Sequence, residues 1–196
     1  MRSSATAAAL FAVTLAGCGA AFAHTLTGGG LEQGPSFAAG FRHPLSGVDH
    51  VLGMVAVGLW AGLNGRRALL IWPLVSLGML MLGGTLGLAS VPLYASEAGI
   101  VASLIVLGLL VLARVRPPVW AGATLISLFA LAHGHAHGAE MPLAAAAATY
   151  AAGFLLASGA LIGVGVAIAS VGANRRRMVG GAGALIALAG VLLAAA

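Results

Sequence analysis

Six apolar runs separated by short polar links constrain this chain more than any other feature of its sequence. They cover approximately 46–63, 68–89, 97–113, 119–134, 142–170 and 178–196. A helix needs about 20 residues to cross the hydrocarbon core of a bilayer, and most of these runs approach that length. Only 7% of the residues are charged, against about 25% in an average soluble domain. The sequence therefore predicts an all-α membrane protein built as a six-helix transmembrane bundle.

The first 23 residues have the features of a cleaved signal peptide that precedes the bundle. Arg2 gives a positive start, a short apolar stretch follows, and residues 21–23 (Ala-Phe-Ala) match the small-x-small cleavage pattern. Cleavage there would leave His24 at the mature N-terminus and 24–196 as a single transmembrane domain. Two alternatives stay open, which are lipidation of Cys18 within a lipobox-like sequence and retention of the segment as an anchor. All three place the residues that follow outside the cytoplasm.

The arginines predict how the bundle is oriented. With the mature N-terminus outside, three links become cytoplasmic, and they hold seven arginines: Arg66, Arg67, Arg114, Arg116, Arg175, Arg176 and Arg177. The outer segments hold only Arg42, as the positive-inside rule requires. The sequence therefore predicts a multi-pass protein of the bacterial inner membrane with a periplasmic N-terminus. Because the arginines form no basic face interleaved with aromatic residues, a nucleic-acid partner is not expected.

A first polar cluster, His43, Asp49 and His50, lies at the outer end of the first apolar run. On one continuous helix His43, His50 and Met54 would share a face, and Asp49 would point about 100° away from His50. Asp49 could then bind a metal from the flank, orient a ring, or form a structural pair with His50 or Arg42. Met54 taken alone is more typical of a core residue than of a ligand.

A second polar cluster, His133, His135, His137 and Glu140, lies at the outer end of the fourth run. His133, His137 and Glu140 would form one stripe if the helix continues through them, and His135 would point nearly opposite. The two glycines in this tract leave an unwound end as an equal alternative. The histidine-rich tract indicates a metal site, and a solvated loop without a metal is the alternative.

Topology alone places the two clusters at the same depth, because the first run enters from outside and the fourth returns to it. Five of the six histidines and two of the four acidic residues fall in these two short windows. Ionisable groups inside a membrane are costly and normally have a functional or pairing reason. Imidazole and carboxylate ligands without a thiolate suit Ni²⁺ or Co²⁺ and admit Zn²⁺. The sequence therefore predicts a divalent-metal site shared by both clusters.

Two motifs in these clusters resemble those of the HupE/UreJ family of nickel permeases. The first reads His43-Pro44-x-x-Gly47-x-Asp49-His50-x-x-x-Met54, directly after Gly40-Phe41. The second reads Phe129-x-x-x-His133-Gly134-x-x-His137-Gly138-x-Glu140. The resemblance implies uptake of nickel, or sometimes cobalt, for hydrogenase or urease maturation. It also implies that six residues matter for transport: His43, Asp49, His50, His133, His137 and Glu140.

We therefore expect a secondary permease for Ni²⁺, or Co²⁺, that is not an enzyme and carries no prosthetic group. His135, His24 and Met54 are additional candidate ligands. No nucleotide-binding motif indicates direct use of ATP. The alternatives are an intramembrane zinc-dependent hydrolase, which needs an open metal position and a base, and a metal-binding accessory protein without transport. The hydrolase is less favoured because no serine or tyrosine stands out as a partner beside either cluster.

Overall fold

The computed structural model describes residues 36–94, 96–140, 147–171 and 175–195. Within these residues the chain folds into helices without strands. In chain order they are α1 (Phe37–Ser46), α2 (Val48–Leu63), α3 (Arg66–Leu88), α4 (Ser96–Leu112), α5 (Val119–Ala139), α6 (Ala147–Ser170) and α7 (Arg175–Ala194). The predicted signal peptide, with Cys18, and the candidate ligand His24 lie outside the described residues.

Four of these helices, α3, α5, α6 and α7, are each long and apolar enough to cross a membrane. The pair α1 and α2 gives a fifth candidate, although its two parts are bent by 85°. Helix α4 is apolar but has only 17 residues. The prediction of an all-helical, multi-pass membrane protein is confirmed for the described part of the chain, whereas the count of six spans is supported only to four or five.

The expectation that His43, His50 and Met54 share one face of a continuous helix is wrong. Helix α1 ends at Ser46 and α2 begins at Val48, because Gly47 is extended, with φ −94° and ψ 119°. The chain breaks here for local reasons. Pro44 in the last turn of α1 has no N–H to donate, and the hydroxyl of Ser46 donates to the carbonyl of His43 at 2.6 Å.

Helix α5 runs unbroken through the second histidine tract and ends at Ala139, with Glu140 as its C-cap. The unwound alternative is therefore wrong. The glycines in this tract allow α5 to lie directly against α3. A Cβ at Gly134 would collide with the backbone of Leu80, and one at Gly138 would collide with the backbone of Gly84. Small residues permit such close approach between membrane helices, and here they hold the histidine-bearing turns of α5 in place.

The other helices pair in the same way, with α2 along α6, α4 along α7, and α1 across α6. At one end of the bundle, Nε1 of Trp60 donates to the carbonyl of Val115 at 2.9 Å. At the same end, Nη2 of Arg114 donates to the carbonyl of Arg176 at 2.6 Å. We call this the arginine end. His50 lies at the opposite, N-terminal end of α2, which we call the histidine end.

Candidate metal site

Three potential ligand atoms meet at the histidine end. Nε2 of His43 lies 2.8 Å from Nδ1 of His137, and Oε2 of Glu140 lies 3.9 Å from the first nitrogen and 3.8 Å from the second. Metal–nitrogen and metal–oxygen bonds of about 2.0–2.2 Å allow two ligands of one ion to be up to roughly 4.2 Å apart. These three atoms can therefore hold one ion together. We call His43, His137 and Glu140 the outer triad.

The secondary structure explains why these three residues meet. Glu140 follows His137 by three residues, so both lie on one face at the end of α5. His43 comes from α1, which is bent across the bundle and lies so close to α6 that a Cβ at Gly40 would collide with the backbone of Tyr150. The triad is accessible from solvent, since the Glu140 side chain is 67% exposed whereas His43 and His137 are partly covered.

Two further histidines continue the cluster into the bundle. His50 and His133 are fully buried. The His50 ring centroid lies 5.0 Å from that of His137 and 5.5 Å from that of His133. Phe154 of α6 closes the side, with its ring 5.1 Å from His50 and 5.7 Å from His137. The structure thus brings His43, His50, His133 and His137 into one contiguous group.

The hydrogen bonds of these rings leave several nitrogens without a protein partner. Nδ1 of His133 donates to the carbonyl of Phe129 at 3.3 Å, which leaves the lone pair of that neutral ring on Nε2. That Nε2 atom, Nδ1 of His50 and Nε2 of His137 are buried and have no hydrogen-bond partner among the described residues. Buried polar atoms are normally paired, so each exception needs an explanation. A ligated metal ion is one such explanation.

Asp49 is not part of the outer triad. It lies in the first turn of α2 and is partly buried. Its charge nevertheless acts on the rings of both His133 and His137. It therefore contributes a negative potential to the cluster, which favours a cation there.

The structure separates the two remaining candidate ligands from the outer triad. Nε2 of His135 donates to the carbonyl of Val91 at 2.7 Å, so this ring points away from the cluster, as the helical spacing predicts. Met54 is buried in the core, on the wall of a small cavity next to His133.

Sequence reasoning missed the contribution of α6. Oγ of Ser158 lies 3.0 Å from Nε2 of His50, and the ring of Tyr150 lies 5.9 Å from that of His43. The expectation that no serine or tyrosine partners the clusters is therefore wrong. A lone hydroxyl in an apolar run is a weak signal, because serines in helices often bond to their own backbone, as Ser170 does with the carbonyl of Val166.

Comparison with known proteins gives two findings. A family model described as "HupE / UreJ protein" matches residues 10–193. Protein HupE of Rhizobium leguminosarum bv. viciae is 40% identical over 157 residues, which cover 79% of this chain and 82% of that protein. No solved structure matches the chain significantly.

Proposed function

Because this chain belongs to the HupE/UreJ family, we propose that it is a permease that carries Ni²⁺, or Co²⁺, into the cell. The family is associated with nickel and cobalt uptake. The observation that carries the proposal is the outer triad, whose two nitrogens and one oxygen lie within 4.8 Å of one another. These donors stand at the entrance to a buried histidine group.

The triad captures the ion because it is the exposed part of the cluster and includes a carboxylate. His137 links it to the interior, since its Nδ1 faces the triad while its ring lies 5.0 Å from that of His50. His50 and His133 then replace lost water ligands with ring nitrogens. This matters because a cation moved into a low-dielectric interior is costly unless it is paired or ligated.

The ligand types fit the proposed cargo. Imidazole suits Ni²⁺ and related borderline ions, and a carboxylate is compatible with them. A permease must also release what it binds, so its sites need to be weak or multiple. Neutral imidazoles with Glu140 and Asp49 meet this requirement better than thiolates would.

We propose an orientation in the bacterial inner membrane with the histidine end in the periplasm and the arginine end in the cytoplasm, following the positive-inside rule. The mature N-terminus is then periplasmic. In this arrangement α4 also spans the membrane and brings the number of spans to six. Its 17 residues reach the lower limit of about 17 residues for a spanning helix.

Ser158, which sequence reasoning missed, does not make the hydrolase alternative more favourable. A nucleophile has to reach its substrate, and Ser158 is fully buried, with its hydroxyl bonded to His50. Ser158 instead orients the His50 ring through this hydrogen bond. A metal-binding accessory protein would share the same ligands and differs only in the absence of flux.

Flux of radiolabelled Ni²⁺ into proteoliposomes tests the proposal. We expect the purified wild-type protein to move Ni²⁺ and His50→Ala to abolish the flux. Ser170→Ala is the control, because its exposed hydroxyl bonds only to its own helix. Binding of Ni²⁺ without flux in the wild type would favour the accessory protein and contradict the permease.

A further inference from the structure

A small cavity lies beneath the histidine cluster, where α2, α3, α4 and α5 meet. Its space of about 10 Å³ is close to what a single water-sized occupant needs. Four of its lining residues carry a donor atom of their own: Met54, Ser76, Ser103 and His133. The other lining residues are apolar or glycine, so these four side chains supply the potential ligands of an otherwise apolar cavity.

Ser76 is the first sign that the cavity has an occupant. Its hydroxyl is buried and has no hydrogen-bond partner among the described residues. Other hydroxyls on these helices bond to their own backbone, as Ser127 does with the carbonyl of Ala123 at 2.8 Å. An unpaired buried hydroxyl is unfavourable, and because Ser76 lines the cavity, an occupant of the cavity can supply the missing partner.

His133 is the second sign. Its Nδ1 is engaged by the carbonyl of Phe129, so the lone pair is on Nε2. A Cβ built on Gly53 would lie 3.3 Å from that Nε2, and Gly53 lines the cavity. The nitrogen therefore faces the cavity side of α2, where only a glycine leaves room in front of it.

We propose that this cavity is an inner metal site, through which the ion passes after it leaves the outer triad. The inference rests on the proposed function and extends it along the path into the cell. The ligands are Nε2 of His133, the thioether sulfur of Met54 and the hydroxyl oxygen of Ser76. Ser103 donates its proton to the carbonyl of Ile100 and keeps lone pairs on its oxygen.

The donors of the inner site are all neutral. The acidic residues in the described part of the chain are Asp49, Glu97 and Glu140, and none of these three lines the cavity. A divalent ion is therefore held weakly here. Weak ligation allows the ion to leave again, which conduction requires. Loss of the inner site should therefore change the rate of passage, whereas the affinity of capture depends on the outer triad.

Uptake kinetics separate these two roles. In proteoliposomes with Ni²⁺, we expect Met54→Leu combined with Ser76→Ala to lower Vmax about tenfold, as for a lost contact to a charged group. KM should stay within about twofold, because the outer triad is intact. The matched control combines Met81→Leu, at an exposed site, with Ser127→Ala. An unchanged Vmax, or a change confined to KM, would overturn the inner site.

A second variant fills space in the cavity without removing a ligand atom. Gly53→Ala places a methyl group 3.3 Å from Nε2 of His133, so we expect Vmax to fall while Ni²⁺ binding at the outer triad persists. Gly163→Ala is the control, since a Cβ there meets nothing within 4 Å. Wild-type flux in Gly53→Ala would contradict the proposal. If the wild type itself moved no Ni²⁺, the proposed function would fail first and the inner site with it.

Discussion

Ser158 on α6 and His50 on α2 form a buried hydrogen bond, with Oγ 3.0 Å from Nε2. The two residues are 108 positions apart in the sequence, and both side chains are fully buried. A bond to one ring nitrogen determines how the ring is oriented and which nitrogen is left for a metal. In this case the nitrogen left without a partner is Nδ1.

Ser158→Ala should therefore weaken Ni²⁺ uptake without removing a ligand. We expect KM to rise about 10- to 100-fold, the usual effect of losing a partner that orients a metal ligand. Radiolabelled Ni²⁺ uptake at a series of concentrations measures this change. Ser170→Ala, on the same helix, should leave KM unchanged. Equal KM values for the two variants would mean that Ser158 does not position His50.

Glu140→Gln tests the carboxylate of the outer triad. The substitution keeps the shape of the side chain but removes the charge that lies 3.8–3.9 Å from both ring nitrogens. Because the side chain is largely exposed, water screens part of the effect, and we expect KM to rise about tenfold. Glu140→Asp keeps the charge on a shorter side chain, so its KM should lie between those of the wild type and Glu140→Gln. A wild-type KM in Glu140→Gln would remove this residue from the site.

His135→Ala should have little effect on transport, although it lies in the same tract as His133 and His137. Its Nε2 donates to the carbonyl of Val91, and Val91 is an exposed residue, so water can replace the lost donor. We expect uptake within about twofold of wild type. The same assay on His137→Ala should show no uptake. If both variants lost uptake, His135 would have to be counted among the metal ligands.

Gly134→Ala tests whether the α3–α5 contact holds the cluster together. The added Cβ would collide with the backbone of Leu80, so the helices must separate at a cost of about 1–3 kcal/mol. We expect a lower midpoint of thermal unfolding in detergent together with reduced uptake. Gly163→Ala adds the same methyl group in open space and should change neither. An unaltered midpoint in Gly134→Ala would contradict the close packing of these helices.

Much of the fold follows directly from the sequence. The run predicted at 68–89 is α3 (Arg66–Leu88), and the run at 97–113 is α4 (Ser96–Leu112). Such agreement is expected, because each backbone polar group inside a bilayer must be paired within its own helix. The shared end of the two histidine clusters follows as well, because alternating directions of successive runs bring the ends of the first and fourth together.

The structure alone decided how these groups face one another. No pattern in the sequence predicts the 85° angle of the bend at Gly47, the alignment of Ser158 with His50, or the cavity between Met54 and Ser76. The apolar pattern of a run predicts that it forms a helix and gives its approximate bounds, although α5 extends beyond the run at 119–134 to Ala139. The rotation and depth of each helix depend instead on packing against partners far away in the sequence. For that reason the sequence determined which residues could bind a metal, and the tertiary structure decided which of their atoms meet.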